Sequence, residues 1–244
     1  MSSNKFGVVL TVIIIVAIIG IIGLLIFLGI ETFNKYKLEQ EAKQGVEQFD
    51  QAIANRPNTN TNTNIDENLI IALENDTVEN ETIANPFENL PEETKTTETK
   101  NNDNEDSGNK VQYFKGFVQK GTISIPRTGL NCPILEKASK KAIEVAVGIQ
   151  VGPGLNEVGN TVIAGHNYRN GLFFSDNKHI EIGDKIYIKD TSGRTVTYLV
   201  YNKFETTPED VSYINKDTNG KREITLYTCN DDSSKRIIIE AREQ

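Results

Sequence analysis

Thr225-Leu226-Tyr227-Thr228-Cys229 is a β-type run that ends in a cysteine, and Arg236 follows seven residues later. Upstream, Val162-Ile163-Ala164-Gly165-His166-Asn167 carries a second apolar run into a histidine. β-branched and aromatic residues favour strands, so two strands are predicted to deliver a thiol and an imidazole at their tips, the parts of a thiol-based acyl-transfer site. Outward from these runs, further short strands are predicted at 122–125, 131–134, 185–188, 195–204 and 236–241, beside 161–164 and 223–228 themselves. Thr191-Ser192-Gly193-Arg194 reads as a hairpin turn. Helical pieces are minor: 138–147, and a turn-like one at 208–215. Many short strands with regular turns point to a mainly β, closed and antiparallel-rich barrel over residues 111–244.

The rest of the chain has a different texture. Residues 6–30 carry no charge and are dominated by Ile, Val, Leu and Gly, which at about 1.5 Å per helical residue exceeds a hydrocarbon core of about 30 Å. The run closes Leu28-Gly29-Ile30-Glu31 without a small-x-small cleavage pattern, so an uncleaved transmembrane signal-anchor is preferred to a signal peptide. Residues 1–5 form a short N-terminal flank. Good helix formers fill 31–55, with Val46, Phe49 and Ile53 at helical spacing. An Asn/Thr/Glu-rich stretch then runs to residue 110, with too little apolar surface to offset ordering entropy. It is expected to be a disordered tether of roughly 40 Å end to end.

Charge follows the same division. Of 34 acids and 26 bases, residues 57–110 hold 13 acids and 3 bases, whereas 111–244 hold 16 and 18. The folded part is nearly neutral and has no basic stripe, so nucleic acid is not an expected partner. Two cysteines do not make a disulfide scaffold, and bonding Cys229 to Cys132 would remove the thiolate. Cys132 is expected to be a small buried hydrophobe. Two histidines and two cysteines without close pairing give no zinc-type spacing, so no metal and no cofactor are expected. His179 lies in a polar stretch and reads as a solvated surface residue.

A thiol needs a lowered pKa or a nearby base to act as a nucleophile. His166, with an ordinary pKa of about 6.5, serves first as base or counter-ion and then as acid. Gly165 lets the chain turn before it. Arg236 has two readings from its residue type: a surface charge closing a hairpin, or a five-donor fork on a substrate carbonyl or oxyanion.

The two motifs resemble the TLxTC and GH signatures of sortases, the membrane-anchored cysteine transpeptidases of Gram-positive bacteria. The resemblance implies an eight-stranded barrel with Cys229 ending the seventh strand and Arg236 starting the eighth. It implies His166, Cys229 and Arg236 as catalytic residues, with Lys235 the alternative cation, and Thr228 and Asn167 bordering the substrate. It further implies a cytoplasmic N-terminus and an extracellular catalytic domain on a single-pass anchor. The implied reaction cleaves an LPxTG-like signal on an exported protein through a thioester and transfers the protein to an amine of a cell-wall precursor. A pilin lysine as acceptor, a mainly hydrolytic cysteine endopeptidase, and a non-catalytic tethered binding module are the competing readings. Gly-His-Asn followed by Phe173-Phe174 resembles class B sortases, without the helical insertion of that class before the cysteine motif. Within the tether, Leu90-Pro91-Glu92-Glu93-Thr94 resembles a sorting core with one residue too many, which makes 85–94 a candidate, uncleaved occupant of the chain's own groove.

Overall fold

The computed structural model describes residues 3–56 and 111–244. The disorder expected for 57–110, and the sorting-like string at 85–94, lie outside these residues.

The apolar run and the polar helix after it form one element, α1 (Ser3–Ala54), 52 residues long and thus about 78 Å. Residues 8–34 are exposed, and the helix is long and apolar enough to cross a membrane, with a mean hydropathy of 3.3 over an 18-residue stretch. The second half is docked on the β domain. Ala42, Val46 and Phe49, at helical spacing, are all buried. Between them Gly45 permits close approach: a Cβ there would meet the Phe114 ring at 2.5 Å. Lys115 and Lys189 pair with Glu41 and Asp50, and the Arg56 guanidinium donates to the Thr191 carbonyl. Because Phe49 is 1% exposed, Phe49→Ala is expected to cost about 3 kcal/mol or more of docking stability. Hydrogen exchange over 42–54 in the full chain reads this directly, and protection equal to wild type would show that the helix is held by other contacts.

The β domain closes on itself. Strands β2 (Phe117–Ile125), β3 (Leu130–Leu135), β4 (Val147–Val151), β5 (Gly159–Ala164), β8 (Arg222–Cys229), β9 (Arg236–Glu243), β7 (Thr195–Thr206) and β6 (Lys185–Asp190) are neighbours in that order, and β6 pairs back to β2. This is a closed eight-stranded barrel, with the short β1 (Gln112–Phe114) added outside it on β2. The pairs β3–β4 and β5–β8 are parallel and the others antiparallel. Ile123, Ile134, Ile163, Phe174, Ile186, Leu226 and Ile239 belong to the main buried core. A second layer, with Tyr213, Tyr227 and Ile238, covers β5 and β8 on their other face.

All seven predicted strands are present, most of them longer than predicted, and 191–194 is the β6–β7 turn, with Gly193 at φ +87°. The helix predicted over 138–147 shrinks to α2 (Lys140–Ile143), whose N-cap Ser139 Oγ accepts from Ala142 N. Val147 instead opens β4. The segment contains helix formers, but pairing with β3 and β5 satisfies its backbone, and Gly148 fits where a Cβ would lie 2.8 Å from the Ala138 backbone. Tertiary pairing overrides local propensity there.

Candidate active site

The parallel β5–β8 register pairs Val162 with Thr225 and Ala164 with Tyr227. Two residues further on each strand, His166 and Cys229 leave the same end of the barrel side by side. Across the β8–β9 hairpin, Cys229 is the register partner of Arg236. The three sequence-predicted residues therefore converge at one barrel end, with Cys229 and Arg236 on the seventh and eighth barrel strands in chain order.

Alternation along β8 sorts its side chains. Ile224 and Leu226 belong to the main core and Tyr227 to the outer layer, so Thr228 shares the inward parity and Cys229 the outward one. Thr228 is fully buried, and its hydroxyl donates to the Gly165 carbonyl at 2.8 Å. The side chain of Thr228, expected near the substrate, ties β8 to the residue before His166. Asn167 is also turned to internal use. Its Nδ2 donates to the Cys229 carbonyl at 3.0 Å and to Asp231 Oδ1 at 3.1 Å, and its Oδ1 accepts from Arg169 N. These bonds fix the loop after His166 to the loop after Cys229.

Arg236 is 6% exposed rather than open on the surface. Its Nε donates to the Tyr227 hydroxyl at 2.8 Å, and its Nη1 donates to the Ser233 and Lys235 carbonyls, each at 3.2 Å. Tyr227 stacks on Tyr213, the ring centroids 5.6 Å apart. Tyr213 belongs to the β7–β8 connection, which is anchored by Asn160 Nδ2 donating to the Tyr213 and Ile214 carbonyls while Asn160 Oδ1 accepts from Thr225 Oγ1. Further along, Lys216 bridges Glu223 and Glu240. Lys235 reaches Glu205 at 3.9 Å.

Sequence reasoning missed Tyr227, Arg169 and Glu144 as parts of this site. Tyr227 was in plain view inside the cysteine motif, but with β8 buried on both faces its sequence carries no alternation that would have set it on the face of Cys229. Arg169 donates to the Asp231 carbonyl and to Ser233 Oγ, bracing the loop beyond Cys229. Glu144, just after α2, reaches His166 only through the fold.

Burial raises the Cys229 thiol above its ordinary value of 9.0, partly offset by the charges of Arg236 and Arg169. Burial lowers the His166 imidazole below 6.5, opposed by Glu144. A raised thiol and a lowered imidazole favour a neutral pair at neutral pH. Cys132 is different: full burial pushes its thiol up to about 12, and neither cysteine is in a disulfide. His179 is exposed, as expected. Among the described residues no group of three His, Cys, Asp or Glu side chains is placed to hold a metal ion.

The profile of the sortase domain matches residues 123–244, half of the chain. The chain belongs to the sortase family. The match begins inside β2, so α1 and β1 lie outside it. Among curated sortases, sortase A of Bacillus anthracis is 34% identical over 122 residues, covering 49% of this chain and 57% of that one. Sortase A of Streptococcus agalactiae serotype III (strain NEM316) is 32% identical over 131 residues, covering 50% and 51%. The chain thus spans about half the length of the curated relatives it matches. Among solved structures, sortase A from Corynebacterium diphtheriae is 28% identical, with a TM-score of 0.48 over 52% of this chain and 61% of that one. Pilus-related sortase C of Group B Streptococcus is 27% identical, with a TM-score of 0.48 over 52% and 67%.

Proposed function

We propose that this sortase is a cysteine transpeptidase in which Cys229 is the nucleophile, His166 the proton carrier and Arg236 the charged group at the oxyanion. The observation that supports this most strongly is the parallel β5–β8 register, which brings His166 level with Cys229 while the β8–β9 hairpin sets Arg236 opposite the thiol. Cys229 Sγ gives its proton to His166 and attacks the carbonyl carbon of a sorting signal. Arg236 charge and nearby backbone amides stabilise the oxyanion. The C–N bond then breaks as His166 protonates the departing amine, leaving a thioester. An incoming amine attacks it, His166 takes the amine's proton, and the C–S bond breaks to restore the thiol.

The donor in this reading is an exported protein bearing an LPxTG-like signal, and the acceptor is an amine of a cell-wall precursor on the extracellular side of the membrane. Incubating the enzyme with a signal peptide and, separately, a cross-bridge-type amine, a pilin lysine peptide or water alone tests it. Transfer to the cross-bridge amine above the hydrolysis rate is expected. Preferential joining to the pilin lysine, or hydrolysis unaffected by amine, would replace the acceptor.

The perturbed pair gives kcat/KM a bell-shaped pH dependence. Because burial lowers His166, the acid limb falls below pH 6.5, and because it raises Cys229, the alkaline limb lies above pH 9.0. Arg236→Ala removes a charge that pulls the thiol down, so the rise of Cys229 alkylation with pH moves to higher pH. An acid limb well above 6.5 would contradict the burial of His166 as the controlling cause.

A further inference from the structure

We infer that the candidate active-site end of the barrel faces the membrane, at the level of the lipid headgroups, and that the outer lipid surface is its docking partner. The inference rests on reading residues 6–30 as a membrane span, and on the path of α1 across the barrel.

Along α1 the contacts occur in strict order. Lys35 Nζ lies against Gly171, where an added Cβ would meet it at 3.3 Å, with Asp176 alongside. Glu39, Ala42 and Lys43 line one cavity with the β2–β3 turn at 128–131. Gly45 abuts Pro133, Asp50 pairs with Lys189, and Arg56 reaches Thr191 in the β6–β7 turn. The helix therefore runs from the start of β3 and β6 towards their ends.

Strand pairing shows which barrel end is which. Lys185, the first residue of β6, pairs with Leu199, and β7 continues beyond it to Thr206, the partner of Arg236. Cys229 and Arg236 thus share the barrel end where β6 begins, away from the 191–194 turn. Side chains confirm the assignment, since Lys178 pairs with Asp231 and Arg169 joins the loop at 167–176 to the loop at 230–235. That same 167–176 loop touches Lys35.

Lys35 is five residues beyond Ile30, the end of the uncharged run, so only about 8 Å of continuous helix separates the apolar run from the loop following His166. Phe33 and Tyr36, 65% and 61% exposed, sit where aromatic residues mark the membrane–water boundary. At the same end, the turn at 181–184 carries Ile182, which at 70% is the most exposed large hydrophobic residue described. An isoleucine at a turn tip at this height suits shallow insertion between headgroups.

This geometry removes the role of a spacer from residues 57–110. The docked helix fixes the barrel against the span, and Arg56 and Val111, which bracket that stretch, line a single cavity. Substrates reach Cys229 at headgroup level, which favours donors and acceptors that are themselves held in or on the bilayer over freely soluble peptides.

The test uses the full chain in lipid nanodiscs, with Cys229→Ala to leave the buried Cys132 as the sole native thiol. A fluorophore is attached at Ile182→Cys or, at the opposite end, at Thr195→Cys, and quenched by nickel-chelating lipid headgroups. The two ends are separated by about 30 Å along the docked helix, so quenching at 182 is expected to exceed that at 195 by roughly threefold or more. Equal quenching, or the reverse order, overturns the inference, as does a chain that fails to float with lipid vesicles. The readout involves no turnover, so it stands or falls separately from the chemistry proposed for Cys229.

Discussion

Cys229→Ala is expected to remove signal cleavage and amine transfer together, lowering turnover by a factor on the order of 10⁵ or to background. In the proposed reaction both half-reactions pass through the same sulfur, so neither would survive its loss. Cys132→Ala is the matched control: that thiol is fully buried in the barrel core and held near 12. Intact-mass detection of a thioester on Cys229 during turnover checks the assignment. A thioester trapped on Cys132, or transfer persisting in Cys229→Ala, would falsify it.

Arg236→Ala and His166→Ala should each reduce kcat/KM on the order of 100-fold or more, because each removes a group that acts as charge develops or as the proton moves. Arg236 has a structural component as well, since its buried guanidinium bonds Tyr227 and the 233–235 carbonyls. Thermal unfolding must therefore accompany the kinetics. Tyr227→Phe separates the two contributions: it keeps the ring stacked on Tyr213 and removes the hydroxyl that accepts from Arg236 Nε. A smaller loss in kcat with little change in Tm is expected for Tyr227→Phe. Near wild-type activity in Arg236→Ala would transfer the role to Lys235 or to backbone donors.

The structure gives these residues unequal standing as targets. His166 and Cys229 come from strands whose tips are braced by Thr228, Asn167 and Arg169, so the pair is held by bonds between loops rather than by the strands alone. Changes at Asn167 or Arg169 act through that bracing and are distinguishable from loss of the nucleophile by retained alkylation of Cys229.

The sequence by itself determined what depends on nearby residues. A 25-residue uncharged run identifies a candidate span, and β-branched runs bounded by turns identify seven strands. Cys229 and Arg236 are joined by the short connection 230–235, so their juxtaposition across a hairpin follows from local register. The sortase resemblance then supplied the count of eight barrel strands, with Cys229 and Arg236 on the last two.

Tertiary structure decided the rest, for three physical reasons. β5 and β8 pair in parallel although β6 and β7 intervene in the chain, and no local periodicity encodes which distant strand satisfies a backbone edge. β8 is buried on both faces, so its sequence lacks the polar alternation that would have placed Thr228 inside and Tyr227 beside Cys229. Helix α1 crosses from an apolar to a polar composition at Glu31 without interruption, because helix hydrogen bonds are local and indifferent to the change of solvent around them. Where its second half lies depends on Gly45, Val46 and Phe49 finding Phe114 and the barrel wall, a contact that exists only once the barrel has closed.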